Sequence, residues 1–270
     1  MKSRFLLMLL VLSPLFVACS AQNDAAPPAA PAATEAPAAP VEPTVATPEA
    51  PEAPNATPTD AEAAAEATAP VAITPPSGPA PVEGQDYVVI PNGQPFAPLN
   101  GKVEVVEVFG YTCPGCAQFE PVFSAWKKKQ PADVRVTPVA AAFGGYWDPY
   151  ARAFYAAETL GVLDKSHGET FNAVHVARNL PVQGVTPEQF GKFFERYGVD
   201  AKTFASTMQS FGVESKLNRA RQFAMRSQVQ ATPSLIVNGK YLVNVNQTTG
   251  YDGMLNTVEH LVARERAAGQ

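Results

Sequence analysis

The stretch that decides the fold runs from residue 103 to residue 126 and reads VEVVEVFGYTCPGCAQFEPVFSAW. Its first seven residues, 103–109, are mainly apolar on both faces of an alternating pattern, which predicts a central strand covered by helices on each side. Phe119, Val122, Phe123 and Trp126 then recur at helical spacing. The CPGC motif at residues 113–116 is therefore predicted to lie where a strand passes into a helix.

A CPGC motif at that place has a direct chemical use. The first amides of a helix are unpaired and its dipole favours negative charge at the N-terminus, so Cys113 is predicted to form a thiolate readily. Pro114 suits the first helical turn, where its missing N–H costs nothing, and Gly115 lets the backbone of a partner come close. Cys116, one turn further along, is predicted to be buried and to act as the resolving thiol.

The alternative uses of the cysteine pair are a structural disulfide, half of a metal site and haem attachment. Haem attachment needs a histidine directly after the second cysteine, where this chain has Ala117. A disulfide that closes so short a loop gains little entropy. Zinc needs two more ligands, and His167, His175 and His260 lie far along the chain without ligand-pair spacing. We expect these histidines at the surface or in packing positions. We therefore expect no metal and no cofactor besides a redox-active disulfide between Cys113 and Cys116.

Four further strands and a last helix are predicted from local patterns. The strands are residues 87–90, 134–142 and a hairpin of residues 231–237 and 241–245 around Asn238-Gly239. A final helix carries Leu255, Val258, Leu261 and Val262 on one face.

Residues 149–227 are predicted to form a block of helices. Asp148 before Pro149 is interpreted as the first N-cap, residues 186–189 as a capping box, and Asp200 as the cap of a further helix. The order of elements is then strand, strand, helix, strand, helical block, hairpin and helix.

The combination of the CPGC motif with a distant Ala231-Thr232-Pro233 before a hairpin resembles the thioredoxin fold, and the helical block resembles the inserted domain of DsbA-like proteins. The resemblance covers roughly residues 87–263. It implies an α/β, thioredoxin-like domain of residues 83–148 and 228–270 with an all-helical insertion at 149–227. In that family Pro233 would be cis and face the disulfide, and Thr232 would offer its backbone to an extended substrate. The alternative is a proline that merely starts a strand.

Glu107 is the remaining candidate for a catalytic residue. It shares a strand face with Val105 and Phe109, which predicts burial, and burial raises the pKa of a carboxyl group. Glu107 matches the buried acid that DsbA-like proteins keep beneath the disulfide, where it would take and return the proton of Cys116. The alternative is an acid at the exposed end of the strand. Relatives often place a lysine on the following strand near this acid, and residues 136–142 contain none.

The resemblance also implies a function and partners. We expect a periplasmic dithiol oxidase that acts on exported polypeptides and is reoxidised by a DsbB-like membrane protein that passes electrons to quinone. A reductase or isomerase with the same residues is the nearest alternative, and a non-catalytic polypeptide-binding chaperone is another. We expect a monomer, because the low-complexity N-terminal region is a poor candidate for a dimerisation region.

The N-terminus predicts export and anchoring. Residues 1–18 combine a short basic start with an apolar run too short to span a bilayer, as in a signal peptide. Residues 16–20, FVACS, resemble the lipobox of bacterial lipoproteins, although Phe16 replaces the usual leucine. We expect lipidation of Cys19 and anchorage to a membrane in the periplasm. The alternative is an ordinary secretory signal that leaves no lipid.

Residues 19–82 are predicted to be a disordered tether rich in alanine and proline. Of the 27 prolines in the chain, 15 lie between Pro27 and Pro81, and such a composition cannot bury enough apolar surface to fold. Residues 20–69 also hold eight acidic residues and no Lys or Arg, so the remaining chain is close to neutral. A near-neutral domain gives no reason to expect nucleic acid as a partner.

Overall fold

The structure is a computed structural model that describes residues 75–269. Five strands form in this part of the chain: β1 (Val88–Val89), β2 (Val103–Phe109), β3 (Val134–Ala140), β4 (Ser234–Val237) and β5 (Tyr241–Asn244). The α-helices are α1 (Pro114–Lys127), α2 (Trp147–Thr159), α3 (Leu163–His175), α4 (Pro187–Phe194), α5 (Ala201–Met208), α6 (Phe211–Arg226) and α7 (Gly250–Ala268). A short 3-10 helix, Glu195–Tyr197, follows α4.

The strands form one sheet in the order β1-β5-β4-β2-β3. β2 runs parallel to β3 and antiparallel to β4, and all seven of its residues are buried. This confirms the prediction of a central strand covered on both sides. The β4–β5 turn also forms at the predicted place, because Asn238 (φ 49°) and Gly239 (φ 68°) both adopt the left-handed conformation that a two-residue hairpin turn requires.

Helices cover both faces of the sheet. On one face Val105 packs in a cluster with Phe119 and Phe123 of α1 and with Val258 of α7. On the other face Val106 and Val108 belong to a larger cluster with residues of α2 to α6. The two faces of β2 therefore pack in two separate apolar cores, which explains why neither face of the strand is mainly polar.

The helical block begins differently from the prediction. Helix α2 starts at Trp147 with Tyr146 as N-cap, so the assignment of Asp148 as N-cap is wrong. Asp148 lies inside the first turn, where its carboxylate accepts hydrogen bonds from the backbone N–H of Gly144 (3.0 Å) and from Arg221. The capping box that begins at Thr186 and the cap at Asp200 are confirmed.

The apolar face predicted for the last helix is also confirmed, because Leu255, Val258, Leu261 and Val262 are all buried in α7. No helix within residues 75–269 combines the length and the apolar character that crossing a membrane demands. The proposed signal peptide, Cys19 and most of the tether lie outside the described residues.

Candidate active site

Cys113 lies at the N-terminal end of α1, directly after β2 and the loop of residues 110–112. As the N-cap residue it accepts a hydrogen bond on Sγ from the backbone N–H of Cys116 at 3.4 Å. Pro114 is the first residue of the helix and costs α1 no hydrogen bond. Cys116 is fully buried and Cys113 only partly, and the two thiols are not joined. In this reduced state only Cys113 can be reached by another thiol.

The loop before β4 brings a second segment to the same sulfur. The peptide bond between Thr232 and Pro233 is cis, as the resemblance implied. The Sγ of Cys113 lies 3.3 Å from the carbonyl oxygen of Thr232, to which it donates when Cys113 is protonated. A Cβ placed on Gly115 would stand 3.5 Å from Cδ of Pro233 and 3.7 Å from Sγ of Cys113, which is ordinary contact. Two segments far apart in the sequence therefore form one surface around Cys113.

The surroundings of the two thiols give them very different pKa values. The hydrogen bond with Cys116 is the largest cause that lowers the pKa of Cys113, and the amides of Cys116 and Gly115 add to it. Partial burial opposes these effects, and the resulting pKa of Cys113 is about 5. Burial and then the neighbouring Cys113 raise the pKa of Cys116 far above that of a free thiol. At neutral pH Cys113 is a thiolate and Cys116 is a thiol.

Glu107 is buried, with only 2% of its surface exposed. Burial, and next the negative charge of Glu120, raise its pKa well above the ordinary value, whereas Lys127 opposes the shift. The strand register puts Pro138 of β3 directly opposite Glu107. No lysine of β3 therefore accompanies the acid, as the sequence indicated. Glu107 lines a cavity beneath α1, and Lys127 of α1 lines the same cavity.

Sequence reasoning missed two histidines of the helical block that bond to the loop before Cys113. His167 Nδ1 lies 2.8 Å from Oη of Tyr111, and Nε2 of His175 donates to the backbone oxygen of Tyr111 at 2.8 Å. His167 fits the prediction of a surface or packing position in one respect, because its ring lies in an aromatic cluster with Phe109. A usable signal was the spacing of His167, Phe171 and His175, which puts the three residues along one side of α3.

Tyr251 of α7 was also missed, and its local sequence carries no signal for a role at the site. Its hydroxyl donates to the backbone oxygen of Gly115 at 2.8 Å, and its ring lies 5.0 Å from that of Phe119. Burial, and next the charges of the two cysteines, raise the pKa of Tyr251. The last helix therefore contacts the first turn of α1 directly.

Comparisons with known proteins agree with this arrangement. The family described as thioredoxin matches residues 97–259. The thiol:disulfide interchange protein DsbA of Pseudomonas aeruginosa is 36% identical over 187 residues, which cover 69% of this chain and 87% of the relative. DsbA of Azotobacter vinelandii is 37% identical over 186 residues, 68% of this chain and 85% of the relative.

A solved structure gives the same result. The crystal structure of oxidoreductase DsbA from Xylella fastidiosa is 46% identical, with a TM-score of 0.67, and the match covers 69% of this chain and 98% of that one. Together with the mixed α/β sheet and the block of helices, these matches confirm the prediction of a thioredoxin-like fold with an all-helical insertion.

Proposed function

Because the chain belongs to the DsbA family of thioredoxin-fold thiol:disulfide interchange proteins, we propose that Cys113 and Cys116 are the pair through which it forms disulfides in exported proteins. It is a thiol:disulfide oxidoreductase of the periplasm. The observation that carries the assignment is the contrast between the two sulfurs. Cys113 is accessible, has a pKa of about 5 and lies beside Thr232 and Pro233, whereas Cys116 is buried.

The reaction follows from that contrast. A substrate thiolate attacks Sγ of Cys113 in the oxidised protein, the Cys113–Cys116 bond breaks, and a mixed disulfide forms while Cys116 leaves with the electron pair. A second substrate thiolate then attacks the substrate sulfur and releases Cys113 as a thiolate. Cys113 is a good leaving group because its pKa is low. The substrate dithiol is oxidised and the protein is left reduced.

We assign the substrate surface to the residues around Sγ of Cys113. Thr232 offers its backbone to an extended polypeptide as an added strand, while Pro114, Gly115 and Pro233 give the contact a smooth surface. Support comes from the distance of 3.3 Å between Cys113 Sγ and Thr232 O, and from the absence of a side chain on Gly115.

Glu107 is assigned the proton transfer at Cys116. The departing Cys116 sulfur needs a proton because its thiol has a high pKa. Burial raises the pKa of the Glu107 carboxyl group well above its ordinary value, so Glu107 holds a proton more readily than an exposed acid does. When Cys116 must attack in turn, the same carboxylate takes the proton back. The burial of Glu107 on the side of the sheet that α1 covers supports this role.

The test is the oxidation of a reduced, unfolded model protein by stoichiometric amounts of the oxidised chain. We expect free thiols of the substrate to disappear as Cys113 and Cys116 become reduced, and Cys113→Ala to be inactive. Titration against glutathione fixes the direction, since an oxidase has a potential above that of the glutathione pool. Rapid repair of a scrambled substrate together with a low potential would instead indicate an isomerase or reductase.

Family membership also implies the partners. Exported polypeptides are the substrates, and a DsbB-like membrane protein is the expected oxidant of the reduced pair. We propose that the chain works as a monomer. Sedimentation of the purified protein at micromolar concentration tests this, and a stable dimer would contradict it.

We further propose that Cys19 carries a lipid and that residues 19–82 tether the redox domain to the membrane. The FVACS sequence at 16–20 and the alanine- and proline-rich composition support this. Cells that produce the chain or its Cys19→Ala variant would be separated into membrane and soluble fractions. We expect only the unaltered chain to sediment with membranes; its recovery in the soluble fraction would refute lipidation.

A further inference from the structure

The peptide unit between Gly115 and Cys116 makes a hydrogen bond at each of its two ends. Its N–H, which belongs to Cys116, donates to Sγ of Cys113 at 3.4 Å. Its carbonyl oxygen, which belongs to Gly115, accepts a hydrogen bond from the hydroxyl of Tyr251 at 2.8 Å. A single planar amide therefore lies between the phenol of Tyr251 and the sulfur of Cys113.

Hydrogen bonds that are joined in this way strengthen one another. A donor at the carbonyl oxygen polarises the conjugated amide, and the N–H at the other end becomes a better donor. The effect is largest when the acceptor is charged, because hydrogen bonds to charged groups are roughly twice as strong as neutral ones. The hydroxyl of Tyr251 is therefore coupled to the negative charge on Cys113 through the backbone.

The ring of Tyr251 is held where its hydroxyl reaches this carbonyl oxygen. Tyr251 lies in the first turn of α7, and its ring is 5.0 Å from that of Phe119 at an interplanar angle of 37°. Phe119 is fully buried in α1. A Cβ placed on Gly115 would lie 3.7 Å from Oη of Tyr251 and also 3.7 Å from Sγ of Cys113. The phenol and the thiol therefore lie beside the same residue of the first turn of α1.

The phenol of Tyr251 keeps its proton while Cys113 is ionised. A free tyrosine has a pKa of about 10. Burial, and next the charges of Cys116 and Cys113, raise the pKa of Tyr251 above that ordinary value. Tyr251 is therefore a hydrogen-bond donor over the whole pH range in which Cys113, with its pKa of about 5, loses its proton.

We propose that Tyr251 is a positioning residue that stabilises the thiolate of Cys113 through the peptide unit before Cys116 and thereby makes the cysteine pair more oxidising. The proposal rests on the exchange reaction assigned to Cys113 above. When a second substrate thiolate attacks the mixed disulfide, the bond between the substrate sulfur and Cys113 breaks and Cys113 leaves with the electron pair. The N–H that Tyr251 polarises faces the charge that grows on this sulfur. Neither Pro114 nor Gly115 carries a polar side chain, so α7 supplies the donor that the motif lacks.

The test is Tyr251→Phe, which keeps a ring beside Phe119 and removes only the hydroxyl. Ultraviolet absorbance of the thiolate is followed against pH in the reduced protein. We expect the pKa of Cys113 to rise by roughly 0.2 to 0.6 unit, which corresponds to about 10–30% of a hydrogen bond to a charged group. The equilibrium constant for oxidation of glutathione at pH 7 should fall by about 1.5- to 4-fold, because one pKa unit changes it tenfold.

The matched control is Tyr241→Phe. The hydroxyl of Tyr241 also bonds to α7, where it donates to Oε1 of Glu265 at 3.1 Å. Its acceptor is a side chain and not the peptide unit before Cys116. Tyr241 also lies at the end of the β4–β5 hairpin away from Ser234, the residue that follows Pro233. This variant loses one hydroxyl contact of α7, and the pKa of Cys113 should stay at the parental value.

Two readouts separate this role from a purely structural one. Loss of a contact between α7 and α1 lowers the guanidinium midpoint of the oxidised and reduced forms equally, whereas loss of thiolate stabilisation lowers that of the reduced form further at pH 7. In the second readout, Tyr251 is replaced by a tyrosine fluorinated beside the hydroxyl. Its phenol is more acidic and donates more strongly, so the pKa of Cys113 should move in the opposite direction and fall.

The outcomes also separate this proposal from the function assigned to Cys113. An unchanged or lower pKa of Cys113 in Tyr251→Phe, while the parental pKa is low, would overturn the role of Tyr251 alone. A parental pKa near that of a free thiol would remove the basis of the exchange reaction and of this role together. Should Tyr251→Phe fail to fold, the fluorinated variant carries the same test because it keeps the hydroxyl, and an unchanged pKa of Cys113 there would overturn the proposal.

Discussion

The low pKa of Cys113 predicts that the reduced protein gains stability over the oxidised protein as the pH rises. The folded pKa is about 5, and a free thiol has a pKa of about 8.5. A group with a depressed folded pKa stabilises the folded state above that value and loses the contribution as the pH falls through it. The gain therefore develops between about pH 5 and pH 8.5, and only in the reduced form, since a disulfide has no thiol to titrate.

The size of this gain follows from the distance between the folded pKa and the working pH. At pH 7 the two units above a pKa of about 5 correspond to at most about 2.7 kcal/mol. Cys113 is only partly buried, and solvent screening reduces the figure to about 1 to 2 kcal/mol. By linkage, the same amount makes the pair more oxidising by about 20 to 40 mV.

The measurement is guanidinium unfolding of both redox forms at pH 4.5 and pH 7. We expect the free energy of unfolding of the reduced form, minus that of the oxidised form, to rise by about 1 to 2 kcal/mol between the two pH values. Other titrating groups, Glu107 included, largely cancel in this difference. Cys113→Ser should follow the oxidised form. A difference that stays constant with pH, or a thiolate absorbance midpoint near that of a free thiol, would refute the reasoning.

Three further predictions concern single side chains. Glu107→Gln should raise the free energy of unfolding at pH 7 by about 1 kcal/mol or more. The reason is that the pKa of Glu107 is raised in the folded state, so the acid destabilises the fold only when the pH lies above the ordinary pKa of a carboxyl group. An equal gain in the free energy of unfolding at pH 4 would contradict this. Gly115→His adds a side chain whose Cβ makes only ordinary contacts, and it should lower the pKa of Cys113 further. The reduction potential of the cysteine pair, measured against glutathione, should then rise by about 30 mV for each unit by which that pKa falls. An unchanged potential would contradict this prediction. Phe154→Ala, which removes a fully buried ring packed on Phe109, should cost about 3 to 5 kcal/mol in denaturant unfolding, and a loss below 1 kcal/mol would show that the cluster re-packs.

Much of the fold was predictable because its signals are local. The alternating apolar residues of β2 fix a strand with two covered faces, and Asn238-Gly239 fixes the hairpin turn through its left-handed backbone. The position of the CPGC motif follows from the strand that directly precedes it and the helix that directly follows it. Each of these features depends on neighbours in the sequence, so the sequence was enough to find them.

The start of α2 could not be predicted for the opposite reason. Trp147 is the first residue of the helix and packs against Gly110, where a Cβ would come within 2.2 Å of its ring. Gly144 and Gly145, both with positive φ, turn the chain towards this contact. Asp148 then bonds back to Gly144 from inside the helix. The contact between Gly110 and Trp147, which lie far apart in the sequence, therefore decides where the helix starts. It overrides the local signal that favoured Asp148 as the N-cap.

The candidate site divides in the same way. The motifs identified Cys113, Cys116, Thr232 and Pro233, whereas the further residues that contact the site come from the helical block and from α7. His167 and His175 hold the side chain and the backbone oxygen of Tyr111, only two residues before Cys113. Such bonds link positions 56 and 64 residues apart, and no local pattern reports them.

These bonds connect the helical block directly to the loop that precedes Cys113. In a domain without α3, Tyr111 would lose both histidine partners, and Glu120 would lose His167 beside a cavity that leads to Glu107. The conformation of the loop that precedes Cys113 therefore depends on that one helix. The inserted helices are therefore part of the redox centre itself, because His167 and His175 of α3 hold the loop that precedes Cys113.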